Sequence, residues 1–386
     1  MTARAVWAVG CGQLVNWGVL YYAFGVLLVP VERSLGAPRW LVAGAFSLGL
    51  LVSAMAAPAI GRLADRGLGP VVMQAGGLMA AGLLIAWALV PTLWMTYVVW
   101  TGLGLCMAAI LYEPVFAIVG RAFNGAADRL RAIATVTIMG GLASTVFLPG
   151  TTLLVERFEW QGAAIILAGV IAASTLIVSR LSFRDRTFSA AALRDALFGA
   201  NTRDAAASGK SPHRFVTVFA LSSIVNSALA SNIVAALIER RLTPTRAALI
   251  GGLLGVMQLP GRVLMTRKSF TPGPFRLLVV SFALQIAGLL ALAADGVQAA
   301  MWLGVIVFAC GAGLTTLARP YLVLHVYGAE RAGEINGAIA RGQQLARAAG
   351  PVSAAALATV TGYPLVFAAL AALLAAALVA TPRQAS

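Results

Sequence analysis

The feature that most constrains this chain is a series of apolar segments, each long enough to cross a lipid bilayer. A transmembrane helix needs about 20 predominantly apolar residues. Of the 386 residues, 60% are hydrophobic and only 11% are charged, and the mean hydropathy is +0.89. Because a chain in hydrocarbon must satisfy its own backbone hydrogen bonds, these segments predict helices and not loops. We therefore expect an all-α membrane protein.

The apolar segments number twelve and fall into two groups of six. The predicted spans are residues 5–31, 41–60, 71–90, 94–119, 132–154, 160–180, 214–237, 246–264, 275–294, 300–325, 334–358 and 362–380. One long polar stretch separates the groups. We expect an N-terminal six-helix bundle at 1–180, a cytoplasmic linker at 181–213 and a C-terminal six-helix bundle at 214–386.

The basic residues predict the orientation. With both termini in the cytoplasm, nineteen of the 28 Lys and Arg residues fall in cytoplasmic segments, as the positive-inside rule requires. The formal charge of +15 is spread over short loops, so we expect no nucleic-acid partner. The three cysteines lie in apolar segments and predict neither a disulfide framework nor a metal site. We predict a monomeric multi-pass protein of a bacterial inner membrane, in contact with lipid and without a cofactor.

The two groups of spans resemble one another. Short motifs recur at an offset of about 200 residues, which indicates an internal repeat. The matching pairs are Glu32-Arg33 with Glu239-Arg240, Gly61-Arg62 with Gly261-Arg262, Pro114 with Pro320, and Pro149 with Pro351.

The loop after the second span reads GRLADRGLGP from Gly61 to Pro70. It resembles the signature of the major facilitator superfamily, although Gly69 and Pro70 stand where the signature closes with two basic residues. With twelve spans and an internal repeat, the chain is identified as a member of that family. The resemblance implies a secondary active transporter with a substrate site at the bilayer midplane, between two six-helix bundles.

The resemblance also implies that this loop is a conformational gate. We expect Gly61 to allow close packing and a tight turn. Asp65 would lie near a helix N-terminus or an arginine, with Arg66 beside it and Arg121 as its partner. The alternative is a solvated turn whose charges only fix the topology.

Three further strings resemble one branch of the family. Asn16-Trp17-Gly18, Phe24-Gly25-Val26 and Pro38-Arg39-Trp40 are similar to the bacterial monocarboxylate porters and oxalate antiporters. The implied substrate is a small organic anion.

Two charged residues interrupt matching spans, each directly before a proline. Glu113-Pro114 lies in the fourth span and Arg319-Pro320 in the tenth. A charge at that depth costs about 2.5–3.5 kcal/mol or more, so it indicates a functional site. Each proline frees a backbone carbonyl one turn earlier, which predicts a bend near the site.

The eleventh span adds Arg341, Gln344 and Arg347, which share one arc of the helix. Intramembrane arginines that face a cavity suit a carboxylate, because guanidinium binds it bidentately. We expect Arg319 and Arg347 to bind the anion. Glu113 is then the proton-coupling group. Further polar residues predicted to contact substrate are Arg341, Gln344, Asn16, Asn226, Tyr112 and Tyr321.

Two questions stay open at this stage. Glu113 and Arg319 either belong to the site or form a salt bridge that clamps the halves at the cytoplasmic side. The substrate is either an organic anion, coupled to protons or a counter-substrate, or a hydrophobic or cationic compound exported by proton exchange. The spans lack the residue pairs of an intramembrane enzyme, and the chain lacks a nucleotide-binding loop, so we expect no enzyme.

Overall fold

The structure is a computed structural model that describes residues 2–122, 126–182, 213–260, 273–294 and 298–381. Within these ranges the chain is helical and contains no strand. The predicted linker at 181–213 falls almost wholly outside the described residues. We call the residues up to 182 the N-terminal half and those from 213 the C-terminal half.

The N-terminal half begins with a long first span that contains a π-helical turn. Its helices are α1 (Ala3–Trp17), the π turn Gly18–Tyr22, α2 (Ala23–Leu35), α3 (Arg39–Leu63), a second π turn Ala64–Leu68, α4 (Gly69–Leu89), α5 (Leu93–Ile110), α6 (Tyr112–Ala122), α7 (Ala126–Gly141) and α8 (Ala143–Ser182).

The C-terminal half is also built of helices alone over its described residues. They are α9 (His213–Glu239), α10 (Pro244–Val256), α11 (Pro274–Ala293), α12 (Gln298–Arg347), α13 (Ala349–Thr361) and α14 (Tyr363–Ala380).

The prediction of an all-α membrane protein is confirmed. Over the described residues, nine helical segments are long and apolar enough to span a membrane, and α10 is a shorter apolar helix. The helices at 3–35, 39–63, 69–89, 213–239, 274–293 and 363–380 match predicted spans to within a few residues.

The spans differ from the predicted boundaries where the chain bends or folds back. The predicted fifth span begins earlier, at Ala126, and is interrupted at Leu142, which lies between α7 and α8. The predicted fifth and sixth spans share α8, whose non-helical residue is Glu159, with φ 57° and ψ 177°. A positive φ is costly for a residue with a Cβ atom, and it marks the turn between the two spans.

The predicted tenth and eleventh spans share α12. Its helical hydrogen-bonding pattern runs through the predicted turn at 326–333. Arg319 nevertheless donates a hydrogen bond to Gln343. Along a straight helix 24 residues cover about 36 Å, so the chain must fold back between these two residues.

Pro114 interrupts the fourth span as predicted. It has no amide hydrogen to give to the carbonyl of Ile110, four residues earlier, and Leu111 leaves the helical region with ψ −157°. Gln13 and Asn16 donate their side-chain amides to the Ile110 carbonyl, at 2.6 and 3.1 Å. Both side chains are buried, so the free carbonyl is paired inside the protein, as the membrane requires.

The π turn in the first span lies against α8. An ideal Cβ on Gly18 would come within 2.1 Å of the Phe147 ring, so only glycine fits there. Trp17, Tyr21 and Tyr22 lie in or next to this turn. It therefore presents three aromatic side chains within one segment.

The halves contact each other between the middle of the bundle and the end where α2 and α9 terminate. The amide of Val352 donates to Ser47 Oγ at 3.1 Å, and Thr145 Oγ1 donates to the carbonyl of Gly252 at 2.8 Å. A Cβ on Gly25 would lie 3.0 Å from the carbonyl oxygen of Ala230. Small residues thus let the halves approach closely.

The pairing of the Ile110 carbonyl predicts a thermodynamic coupling. Replacing Gln13 by Met should lower the free energy of unfolding by about 1 kcal/mol, because a buried carbonyl loses its shorter hydrogen bond. In a Pro114→Ala background the cost should shrink, because residue 114 then carries an amide that can bond Ile110. A double-mutant cycle on melting in detergent measures this coupling. Equal costs in both backgrounds would contradict the pairing.

The cavity between the two halves

A cavity of about 450 Å³ lies between the halves near the middle of the bundle. This volume lies within the range of small-molecule sites. Both halves contribute to its wall. Its lining residues are Trp17, Tyr21, Tyr22, Tyr112, Phe116, Thr137, Gly140, Gly141, Ser222, Ser223, Asn226, Leu229, Ala230, Leu254, Gln258, Phe308, Ala312, Thr315, Thr316, Arg319, Gln343 and Arg347.

Arg347 is the last residue of α12 and lines this cavity. Its guanidinium carbon lies 5.8 Å from the centre of the Trp17 ring and 5.9 Å from that of Tyr21. These cation–π contacts cross from one half to the other. Within the described part of the chain, the guanidinium has no hydrogen-bond acceptor or carboxylate partner.

Arg319 also lines the cavity and donates to the side-chain oxygen of Gln343. Gln343 lies one turn before Arg347 on α12, so the two share a helix face. The structure thus brings both predicted anion-binding arginines to the same wall.

The C-terminal half lines the cavity with further hydrogen-bonding groups. Asn226 donates to the Ser222 carbonyl at 2.8 Å and faces the Gln285 side chain at 3.4 Å. Gln285 in turn donates to Thr315 Oγ1 at 2.8 Å. Thr315 also forms a short hydrogen bond with Ser281. These groups form a connected polar network behind the wall.

The N-terminal half lines the cavity mainly with aromatic rings. Tyr112 stacks on Phe116 with centroids 5.2 Å apart and lies 5.0 Å from Trp17. Trp17 contacts Tyr21 at 5.4 Å, and Tyr21 contacts Tyr22 at 5.2 Å. Of the predicted residues, Tyr112 therefore reaches the cavity from this side, and Asn226 from the other.

Four predicted contact residues lie elsewhere. Arg341 is exposed, and neither it nor Gln344 is among the lining residues. Tyr321 is 38% exposed and also lies outside the lining. Asn16 pairs with the Ile110 carbonyl and borders a separate cleft with Pro70 and Met73. Of the predicted arc through Arg341, Gln344 and Arg347, Arg347 alone is among the lining residues, and in the last turns of α12 it is joined there by Gln343.

The side chains of Glu113, Asp65, Arg66 and Arg121 lie outside the described part of the structure. The predicted gate and the predicted Glu113–Arg319 contact therefore remain predictions. Among the described residues, no group of three or more His, Cys, Asp or Glu side chains is placed to hold a metal ion.

The backbone of the gate loop is described, and it differs from the expectation for Gly61. An ideal Cβ on Gly61 would meet no described heavy atom within 4 Å. The tight turn instead falls at Gly67, with φ 89° and ψ 0°. Only glycine adopts this conformation without strain.

A charged cluster joins the halves at the end where α2 and α9 terminate. Arg39, the first residue of α3, donates to Glu32 at 2.7 Å and also to Glu239 of the other half. It lies 3.5 Å from the Tyr363 hydroxyl, which donates to Asn232 at 3.1 Å. We call Arg39, Glu32, Glu239 and Tyr363 the Arg39 clasp.

Neither the Arg39 clasp nor Gln343 is among the functional residues predicted from the sequence. One signal for the clasp was available, because Glu32 and Glu239 occupy matching positions of the internal repeat. Gln343 carried no such signal, since its direction depends on how α12 is rotated about its axis.

A multi-pass helical membrane protein whose two halves enclose a solute-sized cavity with polar and aromatic walls has the architecture of a carrier for small molecules. The family model of the Major Facilitator Superfamily matches residues 9–351. The chain belongs to this superfamily, which consists of transporters and not of enzymes.

Curated relatives match a smaller part of the chain. Human monocarboxylate transporter 12 is 34% identical over 105 residues, which cover 25% of this chain and 19% of the human protein. The rat protein of the same name is 36% identical over 101 residues, with the same coverage. The chain thus matches about a fifth of the length of these relatives.

Solved structures match nearly the whole chain in fold. The peptide transporter POT superposes with a TM-score of 0.76 at 13% identity and covers 97% of this chain and 92% of its own. The nucleoside transporter NupG gives 0.73 at 14% identity, with 100% of both chains covered. The human organic anion transporter MFSD10 gives 0.67 at 18% identity, covering 98% of this chain and 100% of its own.

The backbone of the gate loop predicts different effects on stability for substitutions at Gly61 and Gly67. Gly67→Ala should lower the free energy of unfolding by about 1 kcal/mol, because alanine is strained at this positive φ. Gly61→Ala should leave stability unchanged or raise it by about 0.5 kcal/mol, because Gly61 lies in a helix and the added Cβ would contact none of the described heavy atoms. Thermal unfolding of both variants and the wild type in detergent measures these changes in stability. A loss of stability at Gly61 alone would contradict the assignment of the turn to Gly67.

Proposed function

We propose that this chain is a secondary active transporter for a small organic anion with a carboxylate group, working by alternating access. The observation that carries the proposal is the environment of the Arg347 guanidinium. A guanidinium at membrane depth is costly, and in the described structure it contacts two rings but no acceptor. A carboxylate in the cavity supplies the missing hydrogen-bond acceptors and the missing charge.

Arg319 and Gln343 complete the proposed anion-binding wall. Both lie at the cavity, and Gln343 holds the Arg319 side chain from one turn before Arg347. Two guanidinium groups at one cavity repel a cation. This arrangement disfavours the alternative of an exporter for cationic compounds.

The similar proteins support the proposal in part. The relatives matched over a fifth of their length are named monocarboxylate transporters. The structural neighbours carry nucleosides, peptides and organic anions by name. One fold therefore serves several substrates, so the argument for a carboxylate rests on the cavity.

Coupling and orientation complete the proposal. Glu113 remains the proposed proton-coupling group, with exchange for a counter-substrate as the other source of energy. With both termini in the cytoplasm, the Arg39 clasp lies on the outer side of the membrane. The contacts between the halves at Ser47–Val352 and Gly25–Ala230 lie on that same side, so in this conformation we infer that the outer side is closed.

We predict that Arg347→Gln weakens carboxylate binding by tenfold or more, because hydrogen bonds to a charged group contribute about 1.5–3 kcal/mol. Purified protein is screened against mono- and dicarboxylates by the ligand-dependent rise in melting temperature, which gives an apparent Kd. Uptake into proteoliposomes, with and without a pH gradient, then tests transport of the best ligand.

Arg341→Gln is the matched control, because Arg341 lies on the same helix but is exposed and away from the cavity. It should bind and transport the anion as the wild type does. The proposal would be overturned by unchanged affinity in Arg347→Gln. An equal loss in both variants would show that general positive charge, and not the site, matters.

We predict that Arg39→Gln opens the outer side, because the change removes the ion pair that links the two halves. The reporter is a single cysteine in place of Ser231, which is only 2% exposed, in protein whose three native cysteines are replaced by alanine. An impermeant thiol reagent added from outside should label it several-fold faster in the Arg39→Gln variant.

Arg33→Gln is the control for this experiment, because Arg33 is an exposed arginine in the last turn of α2 and outside the clasp. It should label at the rate of the parent protein. If Arg39→Gln and Arg33→Gln label alike, the clasp does not hold the outer side closed.

A further inference from the structure

The two walls of the cavity differ in chemistry. Five aromatic side chains of the N-terminal half line one side, and they form a continuous row in which each ring contacts the next. In order along the row they are Phe116, Tyr112, Trp17, Tyr21 and Tyr22.

The opposite wall carries the hydrogen-bonding and charged groups of the C-terminal half. It presents hydroxyl and amide groups together with both guanidinium groups. The polar side chains on it are Ser222, Ser223, Asn226, Gln258, Thr315, Thr316, Arg319, Gln343 and Arg347.

The two walls meet at Arg347. Its guanidinium lies within 6 Å of the centres of both the Trp17 and Tyr21 rings. A carboxylate bound to Arg347 therefore places the atoms attached to it beside the aromatic row. Aromatic groups pack favourably in tilted or offset contact with other rings.

The cavity offers one guanidinium that lacks an acceptor in the described structure. Arg319 already donates to Gln343, whereas the only described side chains that the Arg347 guanidinium contacts are rings. A second carboxylate on the substrate would have to lie against the aromatic row or displace Gln343. Either placement is unfavourable, since burying an unpaired carboxylate is costly.

We infer that the cavity selects monocarboxylates with a planar aromatic body, such as a single-ring aryl carboxylate. The carboxylate binds Arg347, and the ring packs against Trp17 and Tyr112. This inference rests on the proposed function, because it uses the same cavity and the same arginine. It goes further by stating which carboxylates bind best and which residues make the distinction.

The experiment compares four probes on the purified full chain. They are benzoate, cyclohexanecarboxylate, propionate and succinate. Apparent affinities come from the rise of the melting temperature with ligand concentration. Benzoate should bind about tenfold more tightly than cyclohexanecarboxylate, which has the same ring size without aromatic character, and more tightly than the other two.

Variants in the aromatic row connect this preference to the structure. Trp17→Leu should remove the advantage of benzoate over cyclohexanecarboxylate, so that the ratio of their two apparent Kd values falls to about one. Trp17→Phe should restore most of the advantage. Trp7→Leu is the matched control, because Trp7 lies on the same helix but is 56% exposed, and it should behave as the wild type does.

The outcomes separate this inference from the proposed function. If all four probes bind equally, or if succinate binds best, the aromatic selectivity is wrong and the organic-anion transporter stands. If no carboxylate binds, both proposals fail. Should Trp17→Leu not fold, Tyr112→Leu tests the same row, with Tyr112→Phe as the variant that keeps the ring and the preference.

Discussion

The architecture depends on one constraint: a backbone group inside a membrane needs a partner within the protein. Pro114 leaves the Ile110 carbonyl without its helical partner, and the side chains of Gln13 and Asn16 supply the hydrogen bonds instead. This pairing joins the first span to the fourth beside the cavity. It also allows the chain to change direction at Leu111 and continue as α6, which brings Tyr112 and Phe116 to the cavity wall. A break in one helix thus becomes a connection between two helices.

The cost of placing a charged side chain in lipid explains why charges are few and where they lie. Arg319 and Arg347 both face the cavity between the halves. Hydrogen-bonding side chains line this cavity, and it is large enough to hold water. Arg39 lies at the end of the bundle and is 14% exposed, with carboxylates from both halves around it. Arg39 and Arg319 are therefore paired with polar side chains, whereas among the described residues the Arg347 guanidinium contacts aromatic rings alone. This difference distinguishes a structural contact from a proposed binding group.

Much of the fold follows from the sequence, because span length and apolar composition decide which segments are helical in a membrane. The sequence also predicts the break before Pro114, since the loss of one amide leaves a carbonyl free four residues earlier. At Pro320, where the same reasoning predicts a bend, the helical pattern of α12 continues without interruption. It predicts less about the site. Arg341, Gln344 and Arg347 share an arc on any helix, but packing against α9 decides which part of α12 faces the cavity, and Gln343 with Arg347 does so. Asn16 has the right depth for a ligand but is held by a backbone carbonyl. Arg39 lies in a loop by sequence, and only the approach of Glu239 from the other half gives it a second partner.

The π-helical turn Gly18–Tyr22 has a consequence for how this wall tolerates change. Such a turn holds one residue more than the α-helix around it needs. Trp17 and Tyr21 are four residues apart across it, with ring centres 5.4 Å from each other. Deleting one residue from the turn would leave an α-helix in which the two rings, then three residues apart, still share a face. Inserting a residue would instead rotate Trp17 away from that face by about 100°, so the aromatic row should tolerate a deletion in this turn better than an insertion.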